Sequence, residues 1–85
     1  MPHLTLYHTA GCHLCEEAET LVLDCLAERG QPADSLRLSD IADSAELSER
    51  YGVSIPVLRE DASGRELHWP FAAEAVRAFC AGNPR

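Results

Sequence analysis

The spacing of hydrophobic residues predicts a strand followed by a long helix in the first third of the chain. Leu4, Leu6 and His8 alternate along one face, which predicts a first strand over residues 3–8. Thr9-Ala10-Gly11 interrupts that pattern. Apolar residues at three- and four-residue spacing then predict a helix from Cys12 to Arg29, with a stripe formed by Leu14, Ala18, Leu21, Val22, Cys25 and Leu26.

Shorter patterns predict five further elements in the order strand, helix, strand, strand, helix. Gly30 and Pro32 end the long helix, and Gly52 ends the second one. The predicted strands cover residues 35–39, 56–60 and 65–69, and the second helix runs from a cap at Asp43 or Ser44 to Tyr51. Pro70 fits the first turn of the last helix, whose buried stripe is predicted to be Ala72, Ala75, Val76 and Phe79.

The element order is therefore β-α-β-α-β-β-α, in one domain that spans residues 1–85. The first βαβ unit must be parallel, with a right-handed crossover. The second half is predicted to be a hairpin covered by a helix. These elements together predict an α/β fold.

Charge and hydropathy exclude several classes of protein. The chain has 7 Lys and Arg against 14 Asp and Glu, a net charge of −7. A nucleic-acid-binding module or a ligand of anionic membranes needs a basic surface instead. No apolar run approaches the roughly 20 residues of a membrane span, and the first residues lack the pattern of a signal peptide. We therefore expect a cytoplasmic protein that binds neither nucleic acid nor membrane and acts as a monomer.

The string Gly11-Cys12-His13-Leu14-Cys15 carries the candidate chemistry. Two cysteines at C-x-x-C spacing stand where a strand passes into a helix, a pattern typical of redox-active dithiols in the cytosol. The unpaired N–H groups of a helix N-terminus favour a thiolate at Cys12. Such a thiolate can attack a substrate disulfide, and Cys15 can then resolve the mixed disulfide.

Neighbouring charges act on that thiolate in opposite directions. His13, when protonated, adds a positive charge that favours it. Glu16, Glu17 and Glu19 disfavour it, although they also stabilise the start of the helix. The helix end and His13 are nearer to Cys12, so we expect the thiolate to be favoured.

Two other interpretations of the C-x-x-C are open on the residues alone. The cysteines could be half of a metal site, with His8 and His13 as further donors, or they could be structural. No second C-x-x-C is present, so no metal site is predicted. Cys25 and Cys80 lie in apolar helical patterns and are expected to be core residues.

The chain resembles the glutaredoxin family of the thioredoxin-like fold, particularly the small glutaredoxin-like proteins of bacteria. Three features carry the resemblance: the C-x-x-C directly after the first strand, the segment Ser54-Ile55-Pro56-Val57, and the β-α-β-α-β-β-α order at this length. It covers nearly the whole chain. The resemblance implies a four-stranded mixed sheet flanked by three helices, and thiol–disulfide oxidoreductase activity.

The resemblance also implies a substrate site beside the dithiol. Pro56 is expected to follow a cis peptide bond, and Ile55 is expected to offer its backbone N–H and C=O to an extended substrate. Trp69 is a candidate platform for the substrate, or a large side chain that fills the core. The alternative is a module of the same fold that lacks redox activity and binds a partner or a metal.

Glutathione is a doubtful ligand because this chain departs from the family at three places. His13-Leu14 replaces the usual Pro-Tyr, and no Lys precedes Cys12. Trp69-Pro70-Phe71 stands where the family has Gly-Gly and Asp before the last helix. We therefore expect no tightly bound cofactor, and a protein disulfide or another small thiol as the partner. Arg59 or Arg65 could replace the missing cation if it reached the site.

Overall fold

A computed structural model describes residues 3–81, and its elements follow the predicted order. The four strands are β1 Leu4–His8, β2 Leu36–Asp40, β3 Val57–Glu60 and β4 Glu66–His68. The three α-helices are α1 His13–Glu28, α2 Ala45–Tyr51 and α3 Ala73–Cys80. Short 3₁₀ turns at Ala33–Ser35 and Ile41–Asp43 flank β2.

The strands form one mixed sheet in the order β2-β1-β3-β4. β1 pairs parallel with β2, and β3 pairs antiparallel with both β1 and β4. The parallel βαβ unit and the following hairpin are therefore confirmed. So is the expected four-stranded mixed sheet with three helices.

Each face of the sheet carries its own hydrophobic core. The alternation in β1 sends Leu4 and Leu6 to one face and Tyr7 to the other. The larger core joins the sheet to α1 and α3 and contains Leu4, Leu6, Ala18, Val22, Cys25, Leu26, Leu58, Phe71, Val76, Phe79 and Cys80. The smaller core lies under α2 and contains Ile41, Tyr51 and Val57, with Tyr7, Leu47 and Ile55 packed against it.

The predicted helix ends are largely confirmed. Gly30 has a φ of +70° just after α1, and the N–H of Gln31 donates to the carbonyl of Leu26 over 2.8 Å. Ser44 caps α2, because its hydroxyl accepts the N–H of Leu47. Strand ends differ from the predictions by one residue.

Three predictions about the last helix and the apolar stripes are wrong. α3 begins at Ala73, and Pro70 lies ahead of the helix after a cis bond to Trp69. Phe71 enters the core in place of Ala72, which is exposed, because the chain turns inward before the helix begins. Leu14 is 46% exposed, since the first turn of α1 extends past the edge of the core.

The register of the strands places different residues at the two ends of the sheet. Tyr7, Val57 and His68 lie side by side at one end, because Tyr7 pairs with Val57 and Val57 pairs with His68. We call this the dithiol end, since β1 leads from it to Cys12. Leu4 and Glu60 lie at the other end, the turn end, where the β3–β4 connection runs.

Candidate active site

A tight turn carries the chain from β1 to the dithiol. Gly11 has a φ of +77°, a conformation that side chains rarely adopt, and it brings Cys12 to the start of α1. Cys12 is the N-cap residue of that helix, and its Sγ accepts the backbone N–H of Cys15 over 3.1 Å. A helix N-terminus therefore directs an N–H donor at the sulfur, which favours the thiolate when the dithiol is reduced.

Cys12 and Cys15 form a pair at disulfide distance. Their Cα atoms are 5.2 Å apart, within the range of about 4.4–6.8 Å that a disulfide spans. Cys12 is partly exposed, whereas Cys15 is buried, with 4% of its surface accessible. Cys12 is therefore the more accessible residue of the pair.

A cavity of about 210 Å³ opens beside the two sulfurs. Its walls come from β1, the turn and the first turns of α1: Leu6, His8, Thr9, Ala10, Gly11, Cys12, Cys15, Glu16 and Glu19. Two carboxyl groups therefore border it, and none of these described lining residues is Lys or Arg. The cavity fits a neutral or cationic group better than an anionic one.

A second part of the candidate site lies at the same end of the sheet. The Ile55–Pro56 bond is cis, as the resemblance implied, and Pro56 is fully buried. The N–H of Trp69 donates to the carbonyl of Pro56 over 3.3 Å. Pro56 and Trp69 are thus brought together, while neither lines the cavity beside the dithiol.

The sequence model of a protein family, the Glutaredoxin-like domain (DUF836), matches residues 3–80 of this chain. The chain belongs to this glutaredoxin-like family. No curated protein matched it.

Solved structures from two bacteria share the fold of this glutaredoxin-like protein. The X-ray structure of target protein XcR50 from X. campestris is 41% identical, with a TM-score of 0.73, and covers 95% of this chain and 99% of its own. The solution structure of protein Ne2328 from Nitrosomonas europaea is 25% identical, with a TM-score of 0.74, and covers 92% of this chain and 89% of its own.

The two remaining predicted site residues, His13 and Ile55, do not line the cavity beside the dithiol. His13 is the first residue of α1 and is exposed, outside the lining of the cavity. The N–H of Ile55 donates to the carbonyl of Tyr51 over 3.1 Å. A substrate must displace that bond to use the Ile55 N–H.

Neither of the two arginines considered as replacement cations reaches the dithiol. Arg59 lies 3.5 Å from Asp61, and Arg65 lies 3.1 Å from Glu60 and stacks over Phe79. Both pairs belong to the turn end of the sheet. The cation that the family usually places before the first cysteine is therefore not replaced by either side chain.

Two exposed apolar side chains were not predicted as parts of a site. Leu14 is 46% exposed between the cysteines, and Val53 is fully exposed in the segment before Pro56. Nothing in the sequence pattern distinguished these two residues from other apolar residues. Leu38 in β2 is exposed to a similar extent, and single exposed apolar side chains are common on protein surfaces, so exposure alone does not assign a binding surface.

No three His, Cys, Asp or Glu side chains within residues 3–81 are grouped so that they could hold a metal ion. No helix in that range is long and apolar enough to cross a bilayer.

Proposed function

We propose that this glutaredoxin-like protein is a thiol–disulfide oxidoreductase in which Cys12 is the nucleophile and Cys15 the resolving thiol. The observation that carries the proposal is the placement of Cys12. It is the N-cap of α1, it is partly exposed, and it accepts a backbone N–H from the same helix turn that carries Cys15. His13 adds positive charge when protonated.

The reaction follows in two exchange steps. The Cys12 thiolate attacks one sulfur of a substrate disulfide, forms a mixed disulfide and displaces the other half as a thiolate, which takes up a proton. Cys15 loses its proton and attacks the Cys12 sulfur, so that the Cys12–Cys15 bond forms and the second substrate thiol leaves. The substrate gains two electrons and two protons, and an external thiol reductant returns them to the protein. The dithiol needs no bound cofactor for this chemistry.

The surroundings of the dithiol favour a protein or a small neutral thiol over glutathione as the partner. Glu16 and Glu19 border the cavity, and the whole chain has a net charge of −7. An anionic tripeptide meets repulsion there and lacks a charge-assisted partner worth about 1.5–3 kcal/mol. Exposed Leu14, between the two cysteines, offers an apolar contact to an extended chain, whereas Trp69 packs against the larger core and edge-on to Phe71. We propose that the protein does this work as a monomer in the reducing cytoplasm.

Trapping of the mixed disulfide tests the proposal. Reduced Cys15→Ser protein mixed with a peptide disulfide is expected to gain the mass of one peptide at Cys12, because the resolving step is blocked. Cys12→Ser is expected to gain none, and Cys25→Ser, the matched control on the same helix, is expected to behave as wild type. Adducts at Cys25 or continued exchange by Cys12→Ser would contradict the assignment. The same trap run with oxidised glutathione is expected to react at least about tenfold more slowly, which corresponds to about 1.4 kcal/mol.

A further inference from the structure

Tyr51 packs at the centre of the dithiol end of the sheet. It is the last residue of α2 and only 4% exposed. Its ring stacks on that of Tyr7, with centroids 4.3 Å apart and planes 16° apart. Tyr7 immediately precedes His8, from which the chain turns to Cys12. The ring of Tyr51 therefore supports the strand that presents the dithiol.

The backbone of Tyr51 holds the segment that precedes the cis-proline. Its carbonyl accepts the N–H of Ser54 over 2.8 Å and the N–H of Ile55 over 3.1 Å. These two bonds fold residues 52–55 back on the end of α2. The next residue is Pro56, so the position of Tyr51 determines where the Ile55 backbone lies.

The hydroxyl of Tyr51 reaches the strand that leads to Trp69. It donates to Oε2 of Glu66 in β4 over 2.5 Å, and Oε1 of Glu66 lies 3.2 Å from Nε2 of His68. Burial, reinforced by Glu66, raises the pKa of Tyr51 to about 12, so the phenol remains a donor at neutral pH. From His68 the chain passes to Trp69, which closes the ring of contacts through its bond to Pro56.

We infer that Tyr51 is a positioning residue of the substrate cleft, and that its hydrogen bond to Glu66 sets the affinity for an extended disulfide substrate. One side chain joins the three parts of the candidate site: the strand before the dithiol, the segment before Pro56, and the strand before Trp69. Tyr51 touches neither sulfur, so it governs binding and leaves the reactivity of Cys12 unchanged. The inference rests on the proposed oxidoreductase function.

Tyr51→Phe tests the inference because it keeps the ring stack and removes only the hydroxyl. The assay is single-turnover reduction of a peptide disulfide by pre-reduced protein, with the observed rate measured against protein concentration. We expect the half-saturating concentration to rise at least about fivefold, as loss of a hydrogen bond to a charged group predicts. The limiting rate and the alkylation rate of Cys12 are expected to stay within twofold. Trp69 is the single tryptophan of the chain, so its emission reports the cleft directly and is expected to shift.

Thr5→Val is the matched control at the turn end of the same sheet. Thr5 is 2% exposed, and its hydroxyl donates to a carboxylate oxygen of Asp61 over 2.8 Å. The same hydroxyl accepts from the guanidinium of Arg37 over 3.3 Å, so this variant removes two hydrogen bonds to charged groups, neither of which involves Tyr51. It is expected to lower the urea midpoint of unfolding and to leave the half-saturating concentration unchanged. Glu66→Gln keeps an acceptor for Tyr51 and is expected to bind substrate nearly as wild type does.

The outcomes separate this inference from the function on which it rests. If Tyr51→Phe and Thr5→Val both lose stability and neither changes the half-saturating concentration, Tyr51 is only structural and the inference is wrong. Glu66→Ala removes the acceptor from the half-exposed edge strand, so it must raise that concentration even if Tyr51→Phe fails to fold. A wild-type protein without exchange activity overturns the proposed function instead. In that case, amide hydrogen exchange at Ser54 and Ile55 still shows whether the hydroxyl of Tyr51 holds the segment.

Discussion

The chain carries two pairs of neighbouring cysteines, and they differ chiefly at Cys12, because Cys15 and Cys25 are equally buried, each with 4% of its surface exposed. Cys12 and Cys15 stand at the N-terminus of α1, where a backbone N–H points at the first sulfur and a cavity gives access to it. Cys25 and Cys80 join α1 to α3 inside the larger core, with 4% and 3% of their surfaces exposed. Cys12 is therefore the partly exposed sulfur at the helix end, whereas Cys15, Cys25 and Cys80 are all buried.

The pKa of Cys80 shows how strongly the core suppresses ionisation. Burial, followed by the contact with the Cys25 thiol, raises it from 9.0 to about 12. A thiol held protonated is neither a nucleophile nor a metal ligand. Cysteine count alone thus says little about redox chemistry, and the position of each sulfur relative to a helix end and to solvent decides it.

Competitive alkylation is the strongest test of this contrast. At neutral pH a thiol with a pKa of about 12 is ionised to roughly one part in 10⁵, against about 3% for an ordinary thiol. In the fully reduced protein we expect iodoacetamide to modify Cys12 at least about 1,000-fold faster than Cys80. Peptide mass mapping over time measures both rates.

Urea provides the control for that experiment. In the unfolded chain all four thiols are expected to react at similar rates, because neither the helix end nor the core remains. Similar rates for Cys12 and Cys80 in the native protein would show that the two surroundings do not differ as described.

Stability at alkaline pH tests the buried pair separately. The raised pKa of Cys80 means that the unfolded chain releases this proton from about pH 9, whereas the folded chain keeps it to about pH 12. The stabilisation is complete below pH 9 and is lost as the pH rises, at up to about 1.4 kcal/mol per pH unit. Urea unfolding from pH 7 to pH 10 measures it; Tyr51, whose pKa is raised from 10.0 to about 12, adds a smaller decline as the pH approaches 10.

Cys80→Ala is the variant that isolates this effect. Both proteins carry Cys12→Ser and Cys15→Ser, so that the reactive pair does not titrate. The variant is expected to be less stable by about 1–2 kcal/mol at pH 7, as a core truncation of this size predicts, and to show a shallower decline above pH 9. Equal slopes in the two proteins would mean that Cys80 ionises as readily in the fold as outside it.

The sequence was sufficient for features that depend on local spacing. The order of elements, the ends of α1 at Cys12 and Gly30, and the burial of Cys25 and Cys80 follow from periodicity and from cap residues, and the structure confirms them. The cis bond before Pro56 came from the resemblance, since no local pattern specifies it.

Features that depend on tertiary contacts could not be predicted in this way. Leu14 fits the apolar stripe of α1, yet its turn lies beyond the core and leaves it exposed. Pro70 suits the first turn of a helix, but Phe71 is buried in the larger core and the helix begins only at Ala73. Tyr51 was predicted only as the last residue of the second helix. Its contacts with Tyr7 and Glu66 could not be predicted, because both partners are distant in sequence.

His13→Ala is expected to have the smallest effect, and it separates the helix end from the neighbouring charge as causes of Cys12 reactivity. His13 is exposed, and solvent screens a charge there, so its attraction to the thiolate is worth about 0.2–1 kcal/mol, a change of about fivefold or less. Histidine is charged only below neutral pH, so alkylation of Cys12 should slow at pH 6 and be unchanged at pH 8. His3→Ala, an exposed histidine at the turn end, is the control and is expected to change neither rate. If His13→Ala leaves the rate at pH 6 unaltered, the helix end alone distinguishes Cys12 from the buried pair; a change above tenfold would assign the larger part to His13.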